Sequence, residues 1–106
     1  MIKTILQAAN IPGWEGWTSN PPEGNYVLYF DDVTLEGPDL HPEWVKRHDV
    51  TLELYEPMAA PAVEAALEAA MTARGREWTK QARYWLKDLK RFQVIYEFTF
   101  KEKVRS

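Results

Sequence analysis

Apolar positions recur along this chain with two different periods, and the changes of period mark its elements. Ile2, Ile5, Leu6 and Ala9 stand at i, i+3, i+4 and i+7, the spacing of one face of a short amphipathic helix over residues 1–9. Asn10, Pro12 and Gly13 end it. Tyr26–Val33 is apolar at both parities of a strand, which predicts burial on both sides. Val50–Tyr55 alternates instead, with Val50, Leu52 and Leu54 pointing one way and Thr51, Glu53 and Tyr55 the other. A longer helix is predicted over Ala59–Arg74. Pro61 falls in its first turn, Val63, Leu67 and Met71 form its apolar ridge, and Gly75 suits the left-handed residue that follows a helix. Glu77–Leu86 and Phe92–Phe100 then read as a hairpin around residues 87–91. In its last strand Phe92, Val94, Tyr96, Phe98 and Phe100 share one face, and Gln93, Ile95, Glu97 and Thr99 the other.

The order helix, two strands, helix, two strands predicts an α+β domain spanning residues 1–106. Its sheet is expected to be mainly antiparallel and four-stranded, with one short N-terminal helix and one longer Ala-rich helix packed on one face. The connection 10–25 is rich in Gly, Pro and Asn, the connection 36–46 carries Gly37-Pro38 and His41-Pro42, and both are expected to be mobile loops. A chain of 106 residues buries roughly two thirds of the surface its unfolded form exposes, enough for a core without covalent staples. There is no cysteine, which fits a reducing cytoplasm. No signal peptide or membrane span is expected, because no run approaches about 18 apolar residues.

Charge divides the chain more sharply than composition does. Residues 1–73 hold twelve acidic and three basic side chains, a net −9, whereas residues 74–106 hold ten basic and four acidic ones, a net +6. Such a chain can pair its halves within one molecule or between copies.

The candidate chemistry is sparse. Asp31 and Asp32 are adjacent in a strand and point to opposite faces, so they cannot share a proton or a water. Glu64 and Glu68 share a helix face at i, i+4 and read as a solvated stripe. His41 and His48 are separated by loop and strand that impose no ligand geometry, and read as loop histidines of no special role. Ser19 and Ser106 lack a nucleophile context, and Gly13–Trp17 lacks the Lys and Ser/Thr of a phosphate cradle. No catalytic, metal or cofactor-binding residue is expected, and no cofactor. The basic last third raises nucleic acid as a partner. However, the aromatics of the last strand all lie on the face the core needs, which leaves no platform for stacking bases. A small monomeric or dimeric binding module, for nucleic acid or another ligand, is the alternative reading. Trp14, Trp17 and Trp44 lie in the two long connections and suit either a partner contact or a fold-back over the core edge.

The segments Tyr26–Phe30, Asp49–Pro57, the helix ending Ala73–Gly75, Gln81–Leu86 and Phe92–Phe98 have a familiar order and spacing. Over roughly Asn25–Phe100 the chain resembles the small tail-completion or tail-terminator proteins of long-tailed bacteriophages and prophages. The resemblance implies a virion structural protein without enzymatic activity, assembled in the bacterial host cytoplasm as a homo-oligomeric ring, commonly hexameric, at the head–tail junction. It further implies tail-tube protein on one side and connector protein on the other. It fixes no contact positions. The residues point to a head-to-tail interface in which Asp31, Asp32, Glu36 and Asp39 of one copy meet Arg83, Lys87, Lys90 and Arg91 of the next, with Trp14, Trp17 and Trp44 as anchors. The competing arrangement pairs the charges within one subunit, Glu53 facing Arg83 or Lys80.

Overall fold

The computed structural model describes residues 1–37 and 44–104. The chain runs α1 (Ile2–Ala8), β1 (Gly13–Glu15), β2 (Tyr26–Glu36), β3 (Trp44–Glu56), α2 (Pro61–Ala73), β4 (Trp78–Lys80), β5 (Tyr84–Leu86) and β6 (Arg91–Val104). The α+β character is as expected, but the sheet is not the four-stranded antiparallel one. Among the described residues it has six strands in the order β1-β2-β3-β6-β4, with β5 also on the outer edge of β6, and β1 runs parallel to β2.

Three local features account for the difference. β1 is three residues long, too short to show a period, and it forms inside the segment expected to be a loop. Gly13 lets it approach α1: a Cβ there would lie 2.5 Å from the Leu6 side chain and 3.1 Å from the Val27 carbonyl. The expected strand Glu77–Leu86 is split by an extra residue. Lys80 pairs with Tyr96 and Tyr84 with Gln93, so three residues oppose two, as in a β-bulge. The bulge flips parity, which puts Trp78, Lys80 and Trp85 on one face although their spacing forbids it in an uninterrupted strand. Finally, β2, β3 and β6 outrun their predicted ends, and one ladder carries Val33, His48 and Phe100 side by side.

Both helices lie on one face. There Ile2, Ile5, Leu6, Leu67 and Met71 pack with Val27, Val50, Leu52, Leu54, Val94, Tyr96 and Phe98. This is the face predicted for Phe92, Val94, Tyr96, Phe98 and Phe100. α2 ends as expected at Gly75, whose φ is +71°. The Gly75 N–H donates to the Thr72 carbonyl and the Arg76 N–H to the Met71 carbonyl, the paired bonds of a Schellman cap. Burial of β2 on both sides is not found: Phe30 is exposed on one face and Val33 on the other. Among the described residues no helix is long and apolar enough to cross a membrane.

Candidate functional site

Among the described residues, two clusters of charged side chains draw on positions flanking the apolar stripe of β3. Continuing the alternation Val50, Leu52, Leu54 in either direction reaches His48 and Glu56, and both are buried. The same parity rule would have identified them from sequence, since strand residues two apart share a face.

Glu56 meets Glu64 of α2, and Glu64 is not on a solvated stripe. It stands one turn before Leu67 on the buried side of the helix and is 3% exposed. Lys80 Nζ lies 2.9 Å from Glu64 and 2.7 Å from Glu68, and Arg83 reaches Glu64 at 2.7 Å and Glu56 at 3.3 Å. The Tyr96 hydroxyl donates to Glu68 at 2.7 Å. Burial and the neighbouring Glu64 push the Glu56 carboxyl up to about 7. Its Oε2 is buried without a donor, as suits an oxygen that carries a proton itself. Burial acts in the same direction on Glu64, but Lys80, Glu56 and Arg83 outweigh it and hold that carboxyl below its usual range. Two carboxyls with opposed shifts share this site, yet both are occupied by internal partners.

His48 is the second centre, and it is a strand residue rather than a loop one. Its Nδ1 lies 2.9 Å from Asp31 and its Nε2 2.8 Å from Glu102, so the ring, when doubly protonated, donates to carboxylates from both neighbouring strands. The ring stacks on Phe100 at 4.3 Å between centroids. Burial disfavours the charge, but the bonds to Asp31 and Glu102 prevail and raise the imidazole above its ordinary value. Asp31 and Asp32 do point apart, the first to His48 and the second to the opposite face.

The remaining candidates scatter. Arg91 donates to the carbonyls of Pro22, Glu23 and Gly24 and lies over the Tyr26 ring, which ties the 10–25 segment to the sheet. Glu36 pairs with Lys101 at 3.4 Å. Glu53 takes a hydrogen bond from Tyr55 and meets neither Arg83 nor Lys80. Trp14 packs edge-on against Tyr26, Trp44 covers Gly37, and Trp17 projects into solvent. Lys87 and Lys90 stand exposed in the turn before β6, at the opposite end of the sheet from Asp32. Asp39 and His41 fall outside the described residues.

Among the described residues no helix covers the second face of the sheet. It carries a groove of about 500 Å³ lined by Asp32, Asp49, Glu77 and Glu97 with Thr51, Thr79 and Thr99. Thr99 donates to Asp49 at 2.8 Å and Arg47 lies 3.3 Å from it. Carboxylates in this number repel phosphate. Among the described residues no three His, Cys, Asp or Glu side chains gather to hold a metal ion.

The sequence matches no protein-family description and no curated protein. Among solved structures, its fold is similar to a chain from the virion of a native gene transfer agent particle. The TM-score is 0.61 at 14% sequence identity, and the match covers 94% of this chain and 84% of that one. At that identity the likeness speaks for the fold.

Proposed function

We propose that this protein is a non-enzymatic structural subunit of a phage-type virion, a tail-terminator or tail-completion protein that acts by assembling into a homo-oligomeric ring at the head–tail junction. The observation that carries this reading is the end-to-end fold likeness to a chain of a virion particle. The segment order that resembles the tail-terminator family supports it. In this reading one rim of the ring meets tail-tube protein and the other meets connector protein. The charged groups of the two internal clusters hold the subunit together, and the residues left for contacts are the exposed ones: Trp17, Asp32, Trp44, Lys87 and Lys90.

Native mass measured against protein and salt concentration tests the reading. A subunit of 12.4 kDa is expected to give a fixed multiple of that mass, lost as salt rises and screens the contacts. A 12.4 kDa monomer under every condition, with purified tail tubes present as well as absent, overturns it.

A further inference from the structure

Beyond its internal ion pairs the subunit keeps charged surfaces of opposite sign, far apart on the molecule. One is the groove on the uncovered face of the sheet. Asp32, Asp49, Glu77 and Glu97 line it, and Arg47 answers Asp49 at 3.3 Å. Glu97 takes only a long hydrogen bond from Gln81, at 3.4 Å. Among the described residues neither Asp32 nor Glu77 has a hydrogen-bond or ion-pair partner. Asp32 also stands directly opposite Asp49 on the adjacent strand, a position in which like charges repel. Among the described residues these carboxylates do not converge as metal ligands. Their spread suits cations carried on separate long side chains.

The other surface is the turn between β5 and β6, Lys87-Asp88-Leu89-Lys90, which is exposed throughout. Among the described residues neither of its lysines has an ion-pair partner. Lys90 has a φ of +52°, a left-handed backbone that glycine adopts at less cost. A lysine held in that conformation, with no contact inside the subunit, points to a use for its side chain outside it. Thr99 of β6 is level with Asp32, and nine residues separate it from Lys90. The turn and the groove are therefore about 30 Å apart in one subunit and meet only between copies.

We infer that the β5–β6 turn of one subunit seats in the sheet-face groove of the next, with Lys87 and Lys90 entering among Asp32, Glu77 and Glu97. This inference rests on the ring reading above and names the surfaces that the ring joins. Each subunit gives one turn and receives another, which is the head-to-tail arrangement that closes a ring. Two-fold pairing is opposed by the same charges. Groove against groove sets carboxylates facing carboxylates, and turn against turn sets lysines facing lysines.

Charge exchange is the test. The four groove carboxylates with Arg47 carry a net −3, and the turn carries a net +1. Asp32→Lys with Glu77→Lys makes the groove +1, and Lys87→Glu with Lys90→Glu makes the turn −3. All four positions are exposed, so the subunit is expected to keep its fold. Each pair of substitutions alone sets like charges at every junction and is expected to need about tenfold or more higher concentration to assemble at low salt. The four together exchange the two charges and are expected to recover most of that loss. Lys90→Gly gives a second measurement. It relieves the left-handed backbone, so the thermal midpoint of the dilute subunit should not fall, while assembly weakens. A lysine that served only the fold would leave assembly unchanged. Wild-type rings that tolerate both pairs overturn the junction and leave the ring standing. Loss from only one pair also overturns it, since both surfaces belong to one contact. Loss from both without recovery in the combined chain assigns them to separate contacts and overturns it as well. A wild-type chain that stays monomeric removes the ring and the junction together.

Discussion

At the helix-backed end of the sheet, Leu52 and Leu54 are fully buried in one cluster with Leu67 and Met71. Further along the same ladders and on the same face, Val33, Leu35 and Trp44 are 52%, 55% and 40% exposed. The strands and their alternation continue unchanged from one end to the other. Only the layer opposite them differs: α1 and α2 pack on the stretch that carries Val50, Leu52, Leu54 and Phe98, and the strands run on. β6 alone, at 14 residues, spans roughly 45 Å, close to the 49 Å length of the molecule. One end of the sheet is thus a finished core, and the other presents exposed apolar side chains.

That contrast can be broken most sharply by matched truncations. Leu67→Ala should destabilise the subunit by about 2–5 kcal/mol in urea unfolding, since it opens a cavity in a fully buried site. Leu35→Ala should change monomer stability by less than about 0.5 kcal/mol while weakening assembly. Equal losses of stability from the two would show that the strand end is covered within the subunit.

Next in size is the charge network. Glu64→Ala removes the carboxylate that Lys80 and Arg83 share and the acceptor beside Glu56, and should destabilise by roughly 1–3 kcal/mol in the same assay. Gly75→Ala forces a side chain into a left-handed residue and should cost about 1 kcal/mol, read as a drop in thermal midpoint.

The pH dependence separates the two clusters. The Glu56 carboxyl is raised to about 7, so its contribution is complete below its unfolded value and is lost as pH rises through 7. His48 is also raised, so the strand-end clasp is intact below about 6.5 and loosens above its elevated value. Glu64 is lowered and acts in the opposite sense, losing its contribution as pH falls. Stability should therefore decline from mildly acidic to alkaline pH. Glu56→Gln, which mimics the protonated acid, should flatten the part of that decline centred near 7. His48→Gln should remove the remainder and, in hydrogen exchange, release residues 31–36 and 99–104 ahead of the helix-backed strands.

Much of the fold is legible in the sequence because periodicity is local. The apolar spacing in α2, the alternation of β6, the cap at Gly75 and the opposite directions of Asp31 and Asp32 all follow from neighbours in the chain. What escapes such reading depends on partners distant in sequence. β1 is a strand only because β2 lies beside it and Gly13 lets it close on Leu6. The bulge at residues 81–83 exists only against Ile95 and Val94. Glu64 reads as a surface residue because helix spacing shows that it lies next to Leu67, but not that Arg83 and Lys80 come to meet it.

From residue order alone follow an α+β chain with a strong apolar strand stripe, a thin alanine-rich helix and a −9 and +6 division of charge. How that division is used belongs to the folded molecule. It directs Arg83 and Lys80 inward to Glu64, clamps His48 between Asp31 and Glu102, and leaves Asp32 exposed on the opposite face of the sheet. The reason is geometric. A side chain's charge is written in its residue type, whereas its partner is set by which strands the fold makes neighbours.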